Sequence, residues 1–289
     1  MRNYPTFPIV LDPLLPKKDP EEVLRQLPVS TATRSRRALA PMPPVQTDDH
    51  PYLDSPRRMV DALRTNTFPE GMMYRTLLTQ GAIAALAGGV VIGLPVLLRG
   101  RRELRGEGAV IGYAACLGGG YLAVELVLLY HLTLFVGHPS YAISAVVFSM
   151  LIFSGVGSVL SSRGPRHQVA VRLRRALTAV ILLGLVQAFV IPELLVNALI
   201  AAPLWVRLIA TGLSLAPLSV AMGMCFPYGM RLVRPRMVPW AWAVNGWMSV
   251  VGGFLTVLVT RTLGYSWAMV LALTAYLVAA TLVGRLDRS

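Results

Sequence analysis

The chain has 289 residues, of which 55% are hydrophobic and only 14% are charged, and its formal net charge is +13. Soluble domains carry about 25% charged residues, so this composition, with a mean hydropathy of +0.59, excludes an ordinary soluble domain. The basic residues after residue 75 are arginines in short links between apolar stretches, which is typical of cytoplasmic loops and argues against nucleic-acid binding.

Residues 1–74 form a Pro-rich leader with nearly balanced charge. It has too little apolar material for a core of its own, and only Pro20–Leu27 and Ser55–Arg64 have a helix-like pattern. We expect an extended strap with two short helices, ordered where it lies on the membrane body or on a partner. Met1–Leu15 has no continuous apolar core, so no signal peptide is predicted.

Residues 75–289 form the membrane body, in which several stretches reach the roughly 20 apolar residues that a spanning helix needs. The predicted fold class is therefore an all-α integral membrane protein with about seven transmembrane helices behind the leader. The fourth span contains Pro192, which should kink that span or end it early. The predicted spans are Leu77–Leu98, Val110–Val136, Tyr141–Ser161, Leu177–Leu199, Val206–Met230, Trp240–Val259 and Tyr265–Val283.

Loop charges predict the orientation of these spans. The links after spans one, three and five and the C-terminus are rich in arginine, whereas the links after spans two, four and six hold only Arg207 and Arg261. The positive-inside rule therefore places the C-terminus in the cytoplasm of a bacterial-type inner membrane. With seven spans, the leader then lies on the extracytoplasmic side. The arginines of the links after spans one, three and five and of the C-terminus are Arg99, Arg101, Arg102, Arg105, Arg163, Arg166, Arg172, Arg174, Arg175, Arg231, Arg234, Arg236, Arg285 and Arg288.

Glu125 is the most informative polar residue because it lies inside a predicted span. A charged side chain at that depth costs roughly 2.5–3.5 kcal/mol on insertion scales and usually faces the bundle interior or water. One interpretation is a proton or cation site, shared with His131 or His138; the other is a protonated or hydrogen-bonded structural residue. His138 lies in the Gly-His-Pro-Ser corner between two spans, where a turn or cap hydrogen bond is the simpler interpretation. Asn245, in the sixth span, is expected to hydrogen-bond between helices.

Small residues recur within the spans at positions that let helices approach closely. They indicate packing within this chain or, alternatively, an interface with another subunit. No histidine or cysteine has metal-ligand spacing, and the only lysines, Lys17 and Lys18, lie in the leader, so no metal, retinal or other cofactor is expected. The candidate packing residues are Gly89, Gly93, Ser154, Ser158, Gly252 and Gly253.

Four segments resemble one known family in its own order along the chain. They are Gly120–Ser161, which includes Val124-Glu125, Leu134–Pro139 and Phe153–Ser158, then Cys225–Arg231, Pro239–Gly252, and Thr47–Tyr52 in the leader. The first three resemble the membrane portion of the spermidine-synthase-like fused membrane proteins, in which a polyamine-aminopropyltransferase-like domain is joined to multispanning helices. The Thr47–Tyr52 segment resembles the end of that catalytic domain, and Tyr130-His131 departs from the family pattern, which has Gln followed by a basic residue.

The resemblance implies that the leader is the remnant of a synthase-like domain. Asp48 and Asp49 match its motif, but 74 residues are too few for the family's Rossmann-like sheet, so we expect no catalytic activity. The preferred function is a non-catalytic accessory or structural subunit that docks in a larger membrane complex through its leader and small-residue helix faces, with the lipid bilayer as its other partner. One alternative is a transporter or channel for a small cation or polyamine, and another is a membrane anchor for a separately encoded synthase-like enzyme.

Overall fold

The structure is a computed structural model that describes residues 70–95 and 107–286. These residues form eight α-helices, and short 3-10 turns precede the fourth and the seventh. The described part of the chain is therefore all-α, as the hydropathy pattern predicts. In chain order the helices are α1 (Glu70–Pro95), α2 (Gly108–Val136), α3 (Pro139–Ser161), α4 (Val169–Phe189), α5 (Ile191–Leu199), α6 (Leu204–Leu232), α7 (Val238–Leu263) and α8 (Tyr265–Leu286).

Six of these helices are long and apolar enough to cross a membrane: α1, α2, α3, α6, α7 and α8. The helices α4 and α5 make a seventh span if the bent pair is counted as one, with an angle of 43° between them. Pro192 lies in the first turn of α5, where its ring and missing N–H interrupt the hydrogen-bond ladder. The predicted kink in span four is therefore present, and the chain is a polytopic helical membrane protein.

The helices extend beyond the predicted spans, since hydropathy marks only the apolar part of a helix. The first helix begins at Glu70, inside the predicted leader, and α4 begins at Val169, before the apolar stretch at Leu177. The predicted helices Pro20–Leu27 and Ser55–Arg64 lie outside the described residues. The same is true of the link arginines at 99–105 and of Arg288.

The second helix is the centre of the bundle, because α3, α6, α7 and α8 all pack against it. Around it, α3 packs on α6, α6 on α4, and α4 on α8, while α1 packs on the outer side of α7. Thirteen residues of α2 are buried, from Val110 near its start to Val136 at its end. A helix that is apolar on nearly every side suits this position, since neighbouring helices rather than solvent surround it.

Backbone contacts at glycines bring these helices close together. A methyl group on Gly118 of α2 would overlap the carbonyl oxygen of Asn245 on α7. In the same way, Gly223 of α6 lies against the backbone of Ser154 on α3. Small residues at such crossings allow the direct van der Waals packing that holds helices together in lipid.

Candidate functional site

Glu125 lies near the middle of α2 and is partly buried. Its neighbours Val124 and Leu128 are fully buried, whereas Leu126 and Leu129 are partly exposed like Glu125. Glu125 therefore belongs to the strip of α2 that its neighbouring helices leave partly open. Among the described residues, its carboxyl group makes no hydrogen bond and no ion pair.

Tyr121, one helical turn before Glu125, links α2 to α3. Its hydroxyl group donates a hydrogen bond to Oγ of Ser154 over 3.4 Å, and the Ser154 hydroxyl donates in turn to the carbonyl oxygen of Leu151 over 3.2 Å. Ser154 was singled out in the sequence as a small packing residue, and the structure gives it this polar contact as well. Tyr121 and Glu125 are the two polar side chains on this part of α2.

The histidines do not join Glu125. The ring of His131 packs edge-on against Tyr265 at the start of α8, with ring centroids 4.8 Å apart. His138 is exposed at the N-cap position of α3, where its side chain makes no capping hydrogen bond, and its ring lies 5.2 Å from that of Tyr141. The predicted grouping of Glu125 with either histidine is therefore not observed. Six residues along α2 turn His131 to another face of the helix, and His138 lies beyond the end of α2.

Asn245 joins α7 to α2, as its place in an apolar span predicts. Its side-chain Nδ2 donates to the carbonyl oxygen of Ala114 over 3.2 Å. One turn later, the hydroxyl group of Ser249 lies within hydrogen-bond distance of the Gly118 carbonyl oxygen, 3.2 Å, and of the Asn245 carbonyl oxygen, 2.9 Å. These bonds satisfy polar groups that would otherwise be unpaired in a dry environment.

The candidate packing residues lie at several different crossings. Gly252 faces Gly119 of α2, and Gly253 faces Leu122 of the same helix. Gly89 of α1 lies near the ring of Trp247, while Ser158 is partly exposed on α3. Apart from Ser158, and from Gly93, which lies outside the residues with described surroundings, these small residues pack against helices of the same chain.

Arginines form ion pairs and hydrogen bonds between the helix ends that the charge pattern assigns to the cytoplasm. Glu107, just before α2, is buried and pairs through Oε1 with Arg234 at 3.4 Å and with Arg236 at 3.1 Å. Arg231, in the last turn of α6, donates to the carbonyl oxygens of Ser161 and Gly164 over 2.7 and 2.8 Å. Helix ends that the sequence places on the same side of the membrane thus meet at one end of the bundle.

Arg207 has a corresponding role at the opposite end. Arg207, in the first turn of α6, donates from Nη1 to the carbonyl oxygen of Phe135 over 3.0 Å. Gly137, which follows, has a left-handed conformation with φ of 83° and ends α2 by donating its N–H to Thr133. Glycine adopts this conformation without steric cost, which explains why the corner after α2 contains it.

Two apolar cavities open on the outer faces of the bundle. A groove of about 740 Å³ lies between α3 and α6, and its walls include Phe148, Ile152 and Leu213. A cleft of about 300 Å³ lies where α7 and α8 diverge over α2, and Cys116 is on its wall. Neither cavity is lined by Glu125, by the histidines or by Asn245. In the described part of the chain, no three His, Cys, Asp or Glu residues come together as metal ligands.

The sequence reasoning missed several residues that hold the structure together. One is Tyr113, which is buried in α2 and donates a hydrogen bond to the Cys225 carbonyl oxygen over 2.7 Å. The others are Tyr121, which contacts Ser154, and Glu107, which pairs with Arg234 and Arg236. Tyrosines within apolar stretches are a weak signal, because they are also common at membrane interfaces. The acidic residues in the arginine-rich link after the first span, Glu103 and Glu107, are the clearer signal.

Comparison of the chain with protein-family models, with curated proteins and with solved structures finds no match. The resemblance to the spermidine-synthase-like membrane proteins therefore stays a prediction.

Proposed function

We propose that this chain is a non-catalytic accessory or structural subunit of a larger membrane complex. The observation that carries the proposal is the direct backbone packing at the helix crossings. Gly118 meets the Asn245 carbonyl oxygen, and Gly157 of α3 meets that of Val220 on α6. Contacts of this kind fix these helix pairs against one another, which suits a rigid scaffold.

The hydrogen bonds at the helix ends support the same proposal. Arg207 and Arg231 belong to one helix, and they hold the C-terminal ends of α2 and α3 respectively. A bundle whose helices are hydrogen-bonded to one another at both ends is suited to present fixed surfaces to other subunits. The surfaces that we propose for this purpose are the leader, residues 1–74, and the outer faces of the helices.

The proposed location is a bacterial-type inner membrane with the arginine-rich end of the bundle in the cytoplasm. This rests on the excess of arginine at that end and on the contacts that Arg231, Arg234 and Arg236 make there. A green fluorescent protein fused after Ser289 should then fluoresce, and an alkaline phosphatase fused at the same point should be inactive. Active phosphatase and a dark fluorescent fusion would reverse the orientation.

The test of the subunit proposal is the mass of the protein extracted from its native membrane with a mild detergent. Size-exclusion chromatography with light scattering should give a protein mass well above the 31.4 kDa of one chain, with further polypeptides present in constant ratio. Protein that elutes as a single chain under conditions that preserve known membrane complexes of the same extract would refute the proposal.

A second candidate function, transport of a small cation, is favoured by one observation. Glu125 places a carboxyl group in the membrane part of α2, where it has no hydrogen bond or ion pair with a described residue. Intramembrane carboxyl groups commonly mark ion or proton pathways. The purified protein in liposomes should then support cation flux that Glu125→Gln abolishes, and the absence of flux in the parent protein would exclude this candidate.

A further inference from the structure

We propose that Glu125 is the recognition point for a transmembrane helix of a partner subunit that carries a basic side chain at the same depth. The inference rests on the proposed function, and it names the chemistry of the partner. Residue 122 is the midpoint of α2, which runs from Gly108 to Val136, so Glu125 lies about 5 Å from the midpoint along the helix axis.

The flanks of Glu125 show which side of α2 it occupies. Tyr121, one turn earlier, contacts Ser154 of α3. Leu122 and Leu126 lie against Gly253 of α7. Glu125 therefore lies on the strip of α2 between α3 and α7, and these two helices do not pack closely against each other in the described part of the chain.

This strip opens outward rather than into the bundle. Val124, Val127 and Leu128 are completely buried, whereas Glu125 and Leu129 keep partial exposure. A carboxyl group at this depth is unfavourable in the hydrocarbon core of a bilayer unless the group is neutral or paired. No described residue of this chain supplies the pairing group.

A group that pairs with the Glu125 carboxyl group has to reach the middle of the bilayer. Phospholipid headgroups lie about 15 Å from the bilayer centre, since the hydrocarbon core is about 30 Å thick. A lysine, arginine or histidine on a neighbouring transmembrane helix reaches the strip directly. Such a side chain donates hydrogen bonds to the carboxylate and neutralises it, and charge-assisted bonds are the strongest that side chains make.

The two helices beside the strip favour a side chain from a helix over a freely diffusing ion. The strip is bounded by α3 on one side and α7 on the other, and its partly exposed residues Leu122, Glu125 and Leu129 follow one another along α2. A partner helix lying along the strip covers these three residues together. The hydroxyl group of Tyr121 already donates to Ser154, so its oxygen lone pairs stay available to a second donor on the same helix.

The experiment compares full-length variants in the native membrane, extracted in the mild detergent used for the parent protein. Glu125→Leu removes the charge and the hydrogen bonds, Glu125→Gln removes only the charge, and Glu125→Asp keeps both. Glu193→Gln, at an exposed position of α5, is the matched control for an acid-to-amide change elsewhere. The readouts are the fraction of the chain in the larger complex and the apparent Tm of the isolated chain.

We expect Glu125→Leu to lower the recovered fraction of complex about tenfold or more, as loss of a charge-assisted hydrogen bond predicts. Glu125→Gln should give an intermediate loss, while Glu125→Asp and Glu193→Gln should resemble the parent. The apparent Tm of the isolated chain should not fall in Glu125→Leu, because the carboxyl group has no partner among the described residues. The co-purifying subunit should carry a basic residue within a transmembrane segment, and exchange of the two charges should restore assembly.

Four results would overturn the inference, and only the last of them also refutes the proposed function. A complex unchanged in Glu125→Leu leaves the subunit proposal standing and removes the role of Glu125 in it. A lower Tm of the isolated variant assigns Glu125 to the internal stability of this chain. Cation flux that depends on Glu125 in an unaltered complex assigns it to transport. Parent protein that is monomeric in every extract refutes the proposed function itself.

Discussion

Arg231 donates a hydrogen bond from Nη1 to the carbonyl oxygen of Ser161 over 2.7 Å, and this bond joins the C-terminal ends of α6 and α3. The last carbonyl groups of a helix have no partner within the helix and carry partial negative charge. A guanidinium group satisfies them and is stabilised by the helix dipole. Arg231, which the sequence places in the link after span five, therefore has a structural role in the last turn of α6.

Replacing Arg231 by alanine should destabilise the bundle by about 1–2 kcal/mol, since two hydrogen bonds are lost at a partly exposed site. The measurement is the apparent Tm of the detergent-purified protein. Arg175→Ala is the control, because Arg175 is exposed on α4 and makes no hydrogen bond with a described residue. Equal Tm values for the two variants would show that the Arg231 contacts contribute nothing.

Glycine-to-alanine changes at the helix crossings should destabilise by about 1–3 kcal/mol, because the added methyl group overlaps backbone that cannot move away. The sites are Gly118, which faces Asn245, and Gly223, which faces Ser154. The measurement is thermal or denaturant unfolding in one detergent.

Gly155 and Gly246 provide matched controls for these changes. A methyl group at either position meets no atom within 4 Å. Alanine is better than glycine in a helix by up to about 1 kcal/mol, so both control variants should be as stable as the parent or more stable. If all four variants lose the same stability, close packing at Gly118 and Gly223 is not the reason.

Tyr113→Phe should cost about 0.6 kcal/mol, and at most about 1.7 kcal/mol, which is the range for interhelical hydrogen bonds in membranes. The change removes the bond to the Cys225 carbonyl oxygen and keeps the buried ring. Tyr228→Phe is the control, since Tyr228 is also buried but its hydroxyl group has no hydrogen bond to a described residue. A larger loss at Tyr228 than at Tyr113 would contradict this assignment.

Glu107→Ala should lower stability by about 1–2 kcal/mol, because Arg234 and Arg236 lose their shared partner. Their side chains are 51% exposed, so salt should screen part of the interaction. We expect the Tm difference between parent and variant to shrink as sodium chloride is raised. Glu193→Ala, which removes an exposed acid without an ion pair in the described part, should show no such salt dependence.

The sequence by itself determined the membrane class and the approximate position of the spans. About 20 apolar residues are needed to cross a bilayer, so the spans are visible as composition alone, and Pro192 marks the bend between α4 and α5. Asn245 could be recognised as a bridging residue for the same reason, because an amide in an apolar span needs a hydrogen-bond partner.

Only the tertiary structure decided which helices meet and which polar residues share a surface. Hydropathy cannot separate a residue facing lipid from one facing another helix, because both surroundings are apolar. Nothing in the sequence therefore indicated that Asn245 reaches Ala114, that His131 packs against Tyr265, or that Glu125 lies on the open strip of α2. Those relationships depend on the order in which the helices pack around α2, and close contacts at Gly118 and Gly223 lie at the crossings between them.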